Sequence, residues 1–265
     1  MNNRFPVAAA LALLAAAGSA AAGAVLPPPP LPHANGQVLW HIVHDQCVPD
    51  QQQNARPAPC IEVSVTQGVD HGYAVLKDRH GDEQYLVMPT ALIAGIEDAQ
   101  LLAPGAENYF ADAWRARTHV EALIGKPTPR KVMAVSVNSP YGRSQDLLHL
   151  HVDCLTPGNV AAIAAAAPHL ERQWSHLPLT LEGHPYYAMR LDGEALAANP
   201  FRILAGGMPG AAKEMAAWTL VLAGATYPDG KPGFVLLAGR ADPAHGDDAS
   251  GEELQDHECA AMRGG

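Results

Sequence analysis

One stretch constrains this chain more than any other: Leu147-Leu-His-Leu-His-Val-Asp-Cys154. It reads as a β-strand, and a strand sends successive side chains to opposite faces. Leu148, Leu150, Val152 and Cys154 make one face. It is apolar, and β-branched Val152 suits a pleated surface, so this face belongs to a core. Leu147, His149, His151 and Asp153 make the other face. Two adjacent imidazoles, each titrating near neutrality, are costly to pack for structure alone. The face follows directly on a Gly-containing polar loop, residues 138–145, and is the expected active site.

The patterns on either side give an α+β fold. Residues 39–47 have helical spacing, 49–59 read as a loop, and 61–66, 73–77 and 84–88 read as strands, the last two forming an antiparallel hairpin. Apolar residues at intervals of three and four predict a helix over 108–124, with Trp114 as core, and 131–138 is a further strand. The first half is thus a small antiparallel sheet carrying a helix. After about residue 156 an α+β C-terminal extension is expected. It comprises an Ala-rich helix over 160–174, an irregular stretch over 176–188, and strands at 219–223 and 234–238 around the turn Tyr227-Pro-Asp-Gly-Lys-Pro-Gly233. Residues 201–208 carry no decisive pattern, 209–218 can be helical, and 252–263 read as a final helix carrying Cys259. In outline this half can repeat the first, although no sequence repeat is visible.

Residues 1–23 have the form of a secretory signal: Arg4, an apolar run over 7–17, and small residues for cleavage over 18–24. The competing reading is an uncleaved signal anchor, since residues 7–26 just reach the length of about 20 that spans a bilayer. A Pro-rich linker, 24–38, leads to the domain at 39–265. Export is the expectation, to the periplasm or the periplasmic side of an inner membrane, with transient contact at a membrane surface. Formal net charge is −10, which excludes a general nucleic-acid binder. The four cysteines, Cys47, Cys60, Cys154 and Cys259, suggest two disulfides in an exported chain. Three connectivities are open. A local crosslink closing the loop between Cys47 and Cys60 leaves Cys154 for Cys259, and this pairing is expected.

His149 and His151 alone permit three readings. They can be bystanders. They can ligate zinc, with Asp153 and a distant ligand such as His176, His184 or His257. Or one imidazole can attack phosphorus while the other supports it. Lys77 and Arg143 are candidates for holding a pyrophosphate. No P-loop is present.

The pattern also resembles the histidine-triad superfamily, in which a strand carries His-x-His-x-His after an upstream Asn and a Gly-x-x-Gln loop. Here these correspond to His149 and His151, Asn138, and Gly142-Arg-Ser-Gln145. More specifically, an ordered set of stretches over residues 39–259 resembles the bacterial CDP-diacylglycerol diphosphatase family. The set runs Cys47-Val-Pro-Asp-Gln-Gln-Gln-Asn54, Pro57-x-Pro-Cys60, Tyr73-Ala-Val-Leu-Lys-Asp78, Gln84-Tyr-Leu-Val-Met-Pro-Thr90 and Trp114-Arg-Ala-Arg117. It continues with Gly142-Arg-Ser-Gln145, His149-x-His-x-x-Cys154, Glu182-Gly-His-Pro-Tyr186 and Leu254-Gln-Asp-His-Glu-Cys259. The resemblance implies a histidine-triad-like antiparallel sheet and hydrolysis of CDP-diacylglycerol, or a related nucleotide conjugate, without metal or cofactor. It implies His149 as nucleophile and His151 as phosphate contact. Asn138, Ser144 and Gln145 then stand where sugar, phosphate or leaving group is held. The first triad position is Leu147, a departure that leaves the orienting of the nucleophile unassigned.

Overall fold

The structure is a computed structural model that describes residues 26–263 apart from 29 and 31. The signal or anchor segment expected at 1–23 lies outside the described residues, as do residues 24 and 25 of the linker. Among the described residues no helix is long and apolar enough to cross a membrane.

The chain enters through α1 (Val38–Ile42), a π-helical turn (Val43–Cys47) and α2 (Val48–Asn54). The loop expected from residue 49 is therefore helical up to Asn54. Pro49 falls in the first turn of α2, right after the π turn, where the widened ladder tolerates a residue with no N–H. Ala55, in the left-handed region, ends the helix, and a Cys47–Cys60 disulfide closes the loop beyond it. Then come β1 (Glu62–Ser64), β2 (Tyr73–Lys77) and β3 (Tyr85–Pro89), followed by α3 (Tyr109–Ile124). The Asn108 side chain caps α3 by accepting from the Ala111 N–H, and Gly125 in the left-handed region stops it. Trp114 is buried in the core, its ring edge-on to Phe234.

Next are β4 (Met133–Val137) and β5 (Leu150–Leu155). The expected strand began at 147. It starts at Leu150 because Leu148 N–H donates to the Ile93 carbonyl and not to a neighbouring strand. α4 (Pro157–Ala166) ends eight residues before the expected position, because Pro168 follows and the chain tightens into a 3-10 turn. The stretch expected to be irregular is a hairpin, β6 (Ser175–Leu181) and β7 (His184–Asp192). α5 (Pro200–Gly207) follows, and short 3-10 turns replace the helix considered for 209–218. β8 (Trp218–Thr226) and β9 (Pro232–Arg240) form the hairpin around the expected turn. The tail is not one helix. A 3-10 turn (Gly251–Leu254), β10 (Gln255–Asp256) and α6 (Ala260–Arg263) share it, and Cys259 bonds Cys154.

The strands form one antiparallel sheet in the order β1-β2-β3-β5-β4-β8-β9-β7-β6, with β10 added on β5. Both halves therefore contribute to one sheet, and the order is nearly palindromic. β2-β3-α3-β4-β5 and β6-β7-α5-β8-β9 are the same hairpin–helix–hairpin unit used twice. The units meet at β4 and β8, related by an approximate two-fold axis through the facing pair Ser136 and Val221. One face of the sheet is covered by α3 and α5, whose Phe110 and Phe201 rings meet at 5.1 Å. On the other face α1 covers the first unit and α4 covers the second.

Between those two covers lies the polar part of that face. The strand register lines up a row across the sheet: Leu76, Leu86, His151, Ser136, Val221, Leu237 and Ala188. Only His151 and Ser136, at its centre, are polar.

Candidate active site

His149 stands just before β5 on this face and is buried. Its Nδ1 lies 2.6 Å from the carbonyl oxygen of Leu147. A carbonyl only accepts, so Nδ1 carries the proton and Nε2 keeps its lone pair. Burial, then the charge of His151, depress the His149 pKa to about 4, against the opposing pull of the Leu147 carbonyl and Glu252. At neutral pH the ring is thus an uncharged imidazole with one nitrogen fixed by backbone and the other bordering the cleft. The Leu147 carbonyl thus fixes the ring's tautomer and direction, whatever the side chain there.

The His151 ring lies 5.0 Å from that of His149, tilted edge-on to it. Its Nδ1 is 3.1 Å from the carboxylate of Glu252. Gln84 Nε2 donates to the same carboxylate oxygen at 3.0 Å, and Asn138 Nδ2 donates to the other at 3.1 Å. Gln84 Nε2 also lies 3.0 Å from His151 Nδ1. With the ring proton on Nδ1 given to the carboxylate, the amide hydrogens also go to Glu252. Burial raises the Glu252 pKa, but the hydrogen bonds from His151, Gln84 and Asn138 outweigh it and hold the group well below the ordinary carboxylate range. Glu252 is therefore an anion fixed behind His151. His151 Nε2 is buried and has no protein partner, so the ring has one nitrogen left for a ligand.

The other expected residues divide by what already holds them. Asn138 is buried and reciprocally bonded to Glu252, since its Oδ1 accepts from the Glu252 N–H at 3.1 Å. Ser144 is exposed on the cleft wall. Gln145 fastens α1: its Oε1 accepts from Leu39 N–H at 3.2 Å, and its Nε2 donates to the Asn35 carbonyl. Arg143 pairs with both carboxylate oxygens of Glu97 at 2.7 Å, while its buried Nε has no partner. Lys77 spends two of its three N–H groups on the carbonyls of Asp78 and Gly81. All five border the same cleft as His149 and His151, whose volume is about 1080 Å³.

Sequence reasoning passed over two contributors from the chain's end and weighed a third, His257, only as a distant zinc ligand. Glu252 is one. Gln255 is the second: its amide accepts from Ser136 Oγ at 2.8 Å and donates to the carbonyls of Ala134 and His151. His257 is the third, 2.8 Å from the buried Asp153, and that hydrogen bond raises its pKa. None of these has a local motif. The ordered match over 254–259 was the one signal that this segment is more than a tail. Of the distant histidines weighed as zinc ligands, His184 contacts Asp247 and Glu253, and His176 stacks on Tyr187. Among the described residues, the one group of three clustered ligand types is Asp153 with Cys154 and Cys259, whose sulfurs are joined to each other.

A neutral buried imidazole with a fixed tautomer and a second imidazole backed by a carboxylate thus meet in one cleft of an α+β fold. The family can be given more closely. The chain belongs to the CDP-diacylglycerol pyrophosphatase family, whose model matches residues 34–263. A Yersinia pestis protein described as CDP-diacylglycerol pyrophosphatase is 42% identical over 233 residues, covering 88% of this chain and 87% of its own.

Proposed function

We propose that this enzyme hydrolyses the pyrophosphate bond of CDP-diacylglycerol, giving CMP and phosphatidate, through a CMP-histidine intermediate on His149. The observation that carries the reading is the Nδ1–H···O=C bond to Leu147. It leaves a lone pair on Nε2 in a ring that burial keeps uncharged. In the first step that lone pair attacks the phosphorus on the CMP side. The P–N bond forms, the P–O bond to the lipid phosphate breaks, and its electron pair leaves with phosphatidate. In the second step water attacks the same phosphorus. The P–N bond breaks, its electron pair returns to Nε2, and the water's proton passes to solvent. His151 Nε2 donates to a phosphate oxygen, and Glu252 holds the ring for this. The histidine-triad-like pattern supports the assignment of the two roles. Arg143 Nε and the third N–H of Lys77 add positive charge along the cleft.

The apolar N-terminal segment and the two disulfides support export, so we place the enzyme at the periplasmic side of an inner membrane, in contact with its surface. The test of mechanism is a rapid quench into alkaline denaturant during turnover of substrate labelled in the CMP phosphate. Label is expected on the protein, acid-labile and mapped to the peptide containing His149. Undiminished turnover in a folded His149→Ala protein would sink the assignment and leave another attacking group.

A further inference from the structure

The cleft around His149 is chemically lopsided. Its wall at the 138–145 loop is polar, with Asn138, Gly142, Ser144 and Ser250. Its opposite wall carries an apolar patch beside the charged run Lys77–His80. There the cross-sheet row continues from His151 to Leu86 and Leu76, and Val38 and Ile42 of α1 face it. Of those two residues, Ile42 is half-buried at the edge of the core beneath α1 and Val38 stays outside it. The inward stripe of α1 and the π-helical turn is Leu39, Val43 and Cys47, all buried. Val38 and Ile42 are four apart and form the next ridge round the helix. Val38 is 41% exposed. An apolar ridge only partly absorbed by the core and bordering this cleft favours an apolar occupant.

We infer that the α1 wall is the acyl subsite, taking the first carbons of the substrate's fatty-acyl chains while the nucleotide lies toward the 138–145 loop. This rests on the proposed substrate, whose two ends differ as the two walls do. The competing location is a larger cavity of about 1360 Å³ beside α5, lined by Trp174, Ile203 and Trp218. It holds neither His149 nor His151, and its two arginines are already paired, Arg172 with Asp192 and Arg240 with Glu214. The α1 wall, by contrast, is continuous with the histidines through Leu86.

The experiment measures kcat/KM of the full chain on CDP-glycerol and on dibutyryl, dihexanoyl and dioctanoyl CDP-diacylglycerol, all kept monomeric. Wild type should improve with chain length, by roughly ten-fold or more from dibutyryl to dioctanoyl if several methylenes leave water. The double variant Val38→Ser, Ile42→Ser should flatten that rise and leave CDP-glycerol within two-fold of wild type. Ile203→Ser should preserve the rise. An equal loss on CDP-glycerol would assign α1 to the nucleotide or to general structure and overturn the inference. A rise abolished by Ile203→Ser and kept in the α1 variant would move the subsite to the larger cavity. If wild type turns over every compound with no dependence on chain length, the acyl subsite fails and the proposed reaction stands. If it turns over none, the proposed reaction fails as well.

Discussion

The two hairpin–helix–hairpin units share a topology and differ in what their equivalent strands carry. Each unit's second hairpin begins after a 3-10 turn, Arg130–Val132 in one and Met215–Ala217 in the other. Matching those turns sets Ser136 against Val221. The registers Ser136↔His151 and Val221↔Leu237 then set His151 against Leu237, and His149 against Val235. Where the first unit has imidazoles bordering a cleft, the second has two buried aliphatics under α4, packed with Ile163 and Ala167. The second unit has traded chemistry for cohesion. Its own hairpin turn is short, whereas the first unit spans the same gap with the 138–149 loop that frames the cleft. A face of the same sheet is thus a site or a core according to two side chains and the element laid over them.

The sharpest way to break this comparison is a matched pair. His149→Ala should lower kcat by several powers of ten with the fold intact, because general acid–base help alone is worth only about 10²–10⁴ and cannot replace an attacking atom. Val235→Ala should leave kcat within a few-fold and lower stability by about 1–3 kcal/mol, as expected for loss of buried aliphatic surface. Turnover assays with urea titrations of both variants decide it, and comparable kcat losses would erase the distinction.

Leu147→Ala asks whether the departure at the first triad position matters through its side chain. The side chain is fully buried against α1. Removal should cost about 2–5 kcal/mol in denaturant titrations, while kcat in the folded variant stays within a few-fold, since the carbonyl that orients His149 remains. A hundred-fold fall in kcat would return the orienting role to the side chain.

The first unit should also bear a pH dependence that the second lacks. In the folded protein His149 titrates near 4, below its ordinary 6.5. Between those values the unfolded chain holds a proton the folded chain refuses. Stability from this group is therefore complete above pH 6.5 and falls as pH drops toward 4, by roughly 3 kcal/mol. Unfolding at pH 7 and 4.5, compared with His149→Gln, isolates the contribution. An identical pH dependence in the variant would mean that His149 is not the group. Smallest in effect is Glu252→Gln, which keeps the shape and removes the anion behind His151. We expect a ten- to hundred-fold fall in kcat/KM with little change in stability. Unchanged kinetics would make Glu252 a purely structural residue.

Much of the first unit was legible from its sequence. Residues 73–77 and the helix ending at Ile124 are found as expected, because alternation, periodicity and caps all agree there. The Cys47–Cys60 and Cys154–Cys259 pairing also followed from count and position. The second unit was harder for identifiable reasons. Pro178 and Pro185 disguise β6 and β7, since proline breaks the strand pattern, and β6 tolerates it as the sheet's edge. Pro49 hid α2 in the same way. Within the site, His149 and His151 announced themselves by alternation. The Leu147 carbonyl could not, because a backbone atom leaves no mark in a sequence. Glu252 could not either, since a lone glutamate at the far end of the chain says nothing about which strand it will meet.

That last residue is also the last to be made of the side chains within hydrogen-bonding distance of the His151 ring. Ribosomes release a chain from its amino end, so both histidines and their strand are finished about a hundred residues before the carboxylate that holds His151. The closing segment then lies back over β5 through β10 and is fastened by Cys259 to Cys154. A nascent chain, or one clipped near its carboxyl end, carries both histidines without the carboxylate that holds the second. Under the proposed mechanism, catalytic competence is a certificate of completed synthesis: it arrives with the final stretch of polypeptide and its crosslink, after the rest of the sheet has been made.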